Sequence, residues 1–350
     1  MNLNLKLFYR ITFWISLTGL IAIISDFGFY QNDFSQRLLD TFYFVVLGIG
    51  LISTFARYIQ DRKLFKRKAF IFDLISVGFT LWLYYMYLFV GVPFETDLIL
   101  ENPIWVKIAV LFTFIREFSE LKINFKRTFL NPAQLFILSF LVIILIGSFL
   151  LILPNATYDG ISYMDALFTS TSAVCDTGLV VVDTGTHFTL FGQTIIMILI
   201  QLGGLGILTF ASYFSYFFKG GTTYENQLAL SDMTSSKKLG EVFSTLKYII
   251  LITFGIEFFS GVLIYTSIDS SNFASQSEQL FFSAFHSISA FGNAGFDLIG
   301  EGRGLTPYVE DPIINFTIWF LVIIGGIGFS VMMDLLSWKG LKRLALHTKM

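Results

Sequence analysis

Residues 166–179 read Ala-Leu-Phe-Thr-Ser-Thr-Ser-Ala-Val-Cys-Asp-Thr-Gly-Leu, and residues 283–296 read Ser-Ala-Phe-His-Ser-Ile-Ser-Ala-Phe-Gly-Asn-Ala-Gly-Phe. At one constant offset Phe168 meets Phe285, Ser170 meets Ser287, Ser172 meets Ser289, Ala173 meets Ala290 and Gly178 meets Gly295. A glycine cluster follows each stretch: Gly203-Gly204-Leu205-Gly206 after the first, Gly325-Gly326-Ile327-Gly328 after the second. Apolar runs near the length needed to cross a bilayer flank both. The segments Met164–Val174 and Glu278–Phe291 are themselves too short and too rich in Ser and Thr to cross. Each unit therefore reads as an outer helix, a short pore helix, a glycine-bearing loop and an inner helix. Duplicated units of this kind are common in membrane transport proteins.

Composition supports a membrane setting. Hydrophobic residues make up 55% of the chain and charged residues 14%, against about 25% charged in a soluble globular domain. Spanning helices are expected at Ile11–Ile24, Thr41–Ile59, Ala69–Val90, Ile104–Phe118, Gln134–Leu153, Phe191–Phe218, Tyr248–Thr266 and Ile313–Leu336. Lys and Arg collect on the cytoplasmic side of short loops. With the N-terminus inside, the inner loops hold Arg57, Arg62, Lys63, Lys66, Arg67 and Lys68, then Arg116, Lys122, Lys126 and Arg127, then Lys219, Lys237, Lys238 and Lys247. The outer loops hold only Arg37 and Arg303. The alternation survives only if both pore segments enter and leave on the outside. The expected class is an all-α membrane protein with tandem helix–pore loop–helix repeats after a four-helix transmembrane bundle. Its divisions are a bundle over 1–128, repeats over 129–240 and 241–341, and a lead-in to a third repeat over 342–350.

A bilayer tolerates non-helical backbone only where protein or a water-filled path satisfies it. A loop following a short pore helix can aim its carbonyls at an axis, where they replace the hydration shell of a bare cation. Gly178 and Gly295 sit where dihedrals unfavourable to other residues would be needed. The negative C-terminal end of a pore helix also favours a cation. Ser170, Thr171, Ser172, Ser287 and Ser289 can bond the freed backbone. Two ordinary extracellular turns could each carry a glycine, but two matching loops in a topology that demands re-entry weigh against that. The Gly-Gly-x-Gly clusters read as close helix packing; no strand precedes them, so they are not a dinucleotide site.

These residues closely resemble the Trk/Ktr/HKT superfamily of potassium transporters. The run Thr171-Ser-Ala-Val-Cys-Asp-Thr-Gly-Leu-Val180, its continuation to Gly185, and Gln201-Leu-Gly-Gly-Leu-Gly-Ile207 are similar to the first pore loop and inner helix. Phe285 to Phe296 is similar to the second loop. The resemblance implies four repeats around a pseudo-fourfold pore, of which two are present here. It also implies a homodimer with one pore per subunit, in membrane lipid, gated in bacteria by a cytosolic nucleotide-binding ring. Carried over position by position, the filter backbone is Cys175, Asp176, Thr177, Gly178 and Leu179, then Gly292, Asn293, Ala294, Gly295 and Phe296. The transported ion is K⁺, with Na⁺ involvement left open, and no covalent cofactor is implied. Localisation is expected in the cell membrane, the inner membrane of a bacterium, with the N-terminus cytoplasmic.

Three departures stand out. The chain holds two repeats, and Leu344-Ala-Leu-His-Thr-Lys-Met350 reads as the lead-in to a third, so the chain is expected to continue. Asp176 occupies a position where the family usually has an apolar residue: ionised it would concentrate cations, protonated it would bond the pore helices. Four helices precede the first repeat. They faintly resemble a voltage-sensor bundle, but the fourth offers only Lys107 and Arg116, where a sensor needs several bases at every third position. They read as a non-sensing accessory domain, with four unrelated helices as the alternative. Of the intramembrane acids Asp73 and Glu257, Glu257 reads as structural. His187, His286 and His347 have no companions at metal spacing. No P-loop or nucleophile elbow occurs, the basic residues form no nucleic-acid face, and no enzyme is expected. Alternative readings are a channel in which two complete chains make one pore, and a non-transporting membrane scaffold.

Overall fold

A computed structural model describes residues 3–60, 70–90, 104–119, 132–206 and 242–327. Among them are ten α-helices: α1 Leu3–Gly28, α2 Asp33–Gln60, α3 Phe70–Tyr85, α4 Ile104–Ser119, α5 Pro132–Leu151, α6 Tyr163–Val174, α7 Leu190–Gly204, α8 Val242–Ser267, α9 Gln276–Phe291 and α10 Pro312–Ile327. Their extended contacts amount to one isolated antiparallel bridge, Thr157 to Phe188. The expected inner-helix tails at 207–218 and 328–336, and the lead-in at 342–350, lie outside the described residues. The protein is all-α, and four of the helices are long and apolar enough to cross a membrane. The first two begin earlier than hydropathy suggests. For α2 the reason is a cap: Asn32 Oδ1 accepts from Ser35 N at 2.8 Å, which satisfies an orphan donor and starts the helix in a polar stretch.

The chain divides into two compact units. The first holds α1–α4, packed around Tyr43, Val46, Leu47, Leu83, Val106, Ala109 and Val110. Its interior also carries paired charges. Lys107 Nζ lies 3.0 Å from Asp26 Oδ2, which also accepts from Tyr43 Oη at 2.9 Å. Glu117 pairs with Arg57 and accepts from Ser53 Oγ at 3.3 Å. Arg116, on the same helix, is buried and donates to Ser76 Oγ at 3.4 Å. Buried charges are tolerated when paired and hydrogen-bonded, so both bases of α4 are committed to partners inside the bundle.

The second unit holds α5–α10 and both pore segments. Its outer face is apolar and exposed, with Phe259 70% and Phe316 69% accessible, the surface expected against lipid. α6 has 12 residues and α9 has 16; at 1.5 Å per residue they are about 18 and 24 Å long, short of the ~30 Å hydrocarbon core. Both start with a serine cap. Ser162 Oγ and Ser275 Oγ each accept from the backbone N–H three residues on, at 3.2 Å. Glu278 Oε2 accepts from Ala274 N, one residue before the cap, at 2.9 Å and so satisfies a further backbone donor at this end. The two segments return to the side they entered from. After α5 the chain pairs with the residues before α7: Tyr158 N donates to His187 O at 3.1 Å and Thr189 N to Ala156 O at 3.0 Å. In the second repeat Ser267, at the end of α8, donates to Asp311, just before α10, at 2.6 Å. One core serves both repeats: Phe285, Ala294 and Phe296 of the second join Ala173, Val174, Ile196 and Ile200 of the first.

Candidate functional site

Each pore helix ends in the same hydrogen-bonded device. Asp176 N donates to Ala173 O at 3.4 Å and Thr177 N to Ser172 O at 3.0 Å; at matched positions Asn293 N donates to Ala290 O at 3.2 Å and Ala294 N to Ser289 O at 2.9 Å. These are the paired bonds of a Schellman cap, with Asp176 and Asn293 as the left-handed residue beyond the helix. Their φ values are 51° and 57°. Two residues on, Gly178 and Gly295 are left-handed again, at 70° and 74°. The residues between them, Thr177 and Ala294, have no positive φ. In a regular strand successive carbonyls face opposite sides. Here positive φ recurs at every second residue, at Asp176 and Gly178 and at Asn293 and Gly295, so neither loop is a regular strand.

Donors and acceptors are segregated in these loops. The N–H groups of Cys175, Asp176 and Thr177, and of Gly292, Asn293 and Ala294, all turn back to the pore helices. Among the described residues nothing donates to the carbonyl oxygens of Cys175, Asp176, Thr177 or Gly178, nor to those of Gly292, Asn293, Ala294 or Gly295. Phe296 is different: its carbonyl accepts from Ser289 Oγ at 2.7 Å and is turned towards the pore helix. The structure brings the two loops together at their glycines. A Cβ on Gly178 would stand 2.5 Å from Ala294 O and 3.2 Å from Gly295 Cα, and one on Gly295 would stand 3.4 Å from Gly178 Cα.

Behind the loops, matched serines fix the pore helices to their outer helices. Ser170 Oγ donates to Ile144 O and Ser287 Oγ to Glu257 O, each at 2.8 Å. Thr177 Oγ1 donates to Ser172 Oγ at 2.9 Å. In the second loop His286, buried in α9, donates from Nδ1 to Phe282 O at 2.8 Å and accepts Leu298 N on Nε2 at 3.4 Å. That arrangement fixes the neutral tautomer protonated at Nδ1 and leaves neither ring nitrogen open for a metal. Outside the membrane, Asp183 of the first loop accepts from Thr186 N and Oγ1, both at 2.9 Å, and from Gly302 N of the second at 3.4 Å. Partial burial alone would raise the Asp183 carboxyl, but these hydrogen bonds hold it below its ordinary value.

The glycine clusters have a more specific role than general helix packing. A Cβ on Gly203 would run into Val174 O, and one on Gly325 into Phe291 O; these are the last residues of the two pore helices. The side chains of the left-handed residues lie in the same clefts. Asp176 Oδ1 is 3.1 Å from the Cβ position of Gly203 and 3.6 Å from that of Gly292, and it is buried with no hydrogen-bond partner among the described residues. Asn293, with its amide turned to suit its neighbours, donates to Val322 O and accepts from Gly326 N, both at 3.2 Å. The signal for this was present in the sequence, since Asp and Asn are the residues other than glycine most often found at positive φ.

The family described as TrkH, cation transport protein, matches residues 104–350, which includes α4 as well as both repeats. The Ktr system potassium uptake protein B of Bacillus subtilis is 42% identical over 220 residues, 63% of this chain and 48% of that protein. Its counterpart in Vibrio alginolyticus is 37% identical over 219 residues, 62% and 47% of the two chains. The potassium/sodium uptake protein NtpJ of Enterococcus hirae is 35% identical over 223 residues, 63% and 48%. The chain thus spans about half the length of the curated relatives it matches. With the family matching well over half of its residues, this chain belongs to the TrkH family of cation transport proteins.

Proposed function

We propose that this chain contributes two of the loops of a potassium-selective pathway through the cell membrane, with the carbonyls of Cys175–Gly178 and Gly292–Gly295 as the ion-binding groups. The observation that carries the reading is the segregation just described. Eight consecutive-by-loop carbonyls accept no hydrogen bond among the described residues, while the neighbouring N–H groups are tied back. Of the residues that carry these carbonyls only Ala294 is buried, the rest being half-buried or exposed, and a partly dehydrated cation is a partner that such an open set of carbonyls suits. The names of the relatives supply the ion: potassium uptake for two of them, potassium and sodium for the third. The protein works as a multi-pass membrane transporter rather than an enzyme. The family resemblance adds a homodimer and a cytosolic nucleotide-binding ring as partners, and the charge pattern adds a cytoplasmic N-terminus.

Gly178→Ser and Gly295→Ser test the filter. A serine at φ near 70° carries a conformational cost of about 1–2 kcal/mol, and at Gly178 its Cβ would also press on Ala294 O. Loss of carbonyl alignment should erode discrimination before it abolishes passage. Rubidium and sodium fluxes in proteoliposomes, with the protein as its gene encodes it, should show roughly tenfold weaker rubidium affinity, the equivalent of ~1.4 kcal/mol, and a higher relative sodium flux. Unaltered affinity and selectivity in both variants would remove these glycines from the pathway.

A further inference from the structure

Glu257 lies in the membrane-spanning part of α8 and is 6% exposed. Its Oε1 accepts from Gln201 Nε2 on α7 at 3.0 Å. The remaining oxygen of each group, Glu257 Oε2 and Gln201 Oε1, is buried and has no hydrogen-bond partner among the described residues. None of the ion pairs there involves Glu257. Among the described residues, the elements packed against α8 offer no compensating charge. α7 and α10 contain no titratable residue; α9 contains Glu278, engaged at its N-terminus, and His286, whose two ring nitrogens are both occupied. α8 itself carries Lys247, Tyr248 and Tyr265, each two or more turns away.

Two orphan acceptors on two groups already joined by one hydrogen bond need one donor between them. A carboxyl and a primary amide have the same planar outline. A proton on Glu257 Oε2 would donate to Gln201 Oε1 and close a ring of two hydrogen bonds, satisfying both orphans at once. An ionised carboxylate would instead bury a full charge against a single amide N–H. We propose that Glu257 is held as a neutral carboxylic acid, ring-paired with Gln201, and that this pair positions the two filter loops relative to each other. The inference rests on the filter reading for its functional half. Gln201 stands two residues before Gly203, against which the first pore helix ends. The Glu257 carbonyl holds Ser287, two residues before the Ser289 that bonds Phe296 O. The acid therefore connects the inner helix behind one loop to the pore helix behind the other. In the first repeat the matching serine bonds the carbonyl of Ile144, so the repeat fold does not itself require an acid here.

The test separates protonation from transport. Infrared difference spectra of wild type against Glu257→Gln, taken near neutral pH, should show a protonated carboxyl carbonyl band in the wild type that the variant lacks. A carboxylate band in its place, or one that appears only with sodium, overturns the proposal. In flux assays Glu257→Gln should keep rubidium affinity and the rubidium-to-sodium ratio, because an amide Nε2 donates to Gln201 Oε1 as the acid does. Glu257→Ala should lose about tenfold in affinity or fail to fold. A Gln variant as impaired as the Ala variant also overturns it. If the wild type passes no rubidium, the proposed function fails while the infrared result still decides the state of Glu257.

Discussion

Asp176 and Asn293 show how one backbone position constrains chemistry. Both sit in the left-handed conformation just past a pore helix, where Asn and Asp cost less than other residues with a side chain. The sequence comparison aligns them only as a mismatch, and the family pattern makes Asp176 look anomalous. Two readings were open, a cation-concentrating charge or a hydrogen-bonding prop. The position of Oδ1 against Gly203 and Gly292, behind the loop, favours a packing role over an ion-facing charge, with no hydrogen bond to Oδ1 among the described residues. Asn already fills the equivalent cleft in the second repeat with both amide atoms bonded. Asp176→Asn should therefore leave folded yield unchanged and rubidium affinity within about twofold, the reach of a change below ~0.5 kcal/mol. Asp176→Ala removes both the local preference and the packing, and should cost about 1–2 kcal/mol, read as a lower melting temperature in detergent. A large fall in flux for Asp176→Asn with unchanged stability would restore the electrostatic reading.

The pore helices and the helices behind them form the next scale. Their presence was legible because length, Ser/Thr content and the charge alternation all demanded re-entry, and the matched glycines placed the loops. What hydropathy does not encode is which inner-helix glycine touches what. Within Gly203-Gly204 and Gly325-Gly326 all four look equivalent in sequence. In the structure the first of each pair faces a pore-helix carbonyl, whereas a Cβ on Gly326 meets nothing closer than the Asn293 amide at 3.8 Å. A carbonyl is fixed by its helix and cannot rotate aside as a side chain can. Gly203→Ala and Gly325→Ala should each push a pore helix, and the loop it carries, out of register, at an overpacking cost of about 1–3 kcal/mol or more. Gly326→Ala should be nearly neutral. Monodispersity after extraction and rubidium selectivity of the folded fraction are the measurements. Equal sensitivity at Gly325 and Gly326 would return these clusters to general helix packing.

At the scale of the whole molecule, orientation ties the sequence to the function. The charge rule placed both pore segments on the outside from the loop lysines and arginines alone. The structure supplies independent geometry: each pore segment returns beside its own entry point, and Asp183 reaches Gly302, so the mouths of both repeats share one side. Which side of the membrane that is depends on the basic loops. With Cys175 the sole cysteine, a Cys175→Ser background makes the test clean. Cysteines at Asp159 and Ser271, both exposed at the mouths, should react with an impermeant maleimide on intact cells. A cysteine at Ser235, between the repeats, should react only after permeabilisation. Opposite labelling of all three would invert the protein without changing the pore geometry, and ions would then meet the filter from the cytoplasmic side. Outside labelling at Ser235 together with Asp159 and Ser271 is the more damaging outcome. It would mean that the chain between the repeats does not return to the cytoplasm, and the loops could not then line one pathway across the membrane.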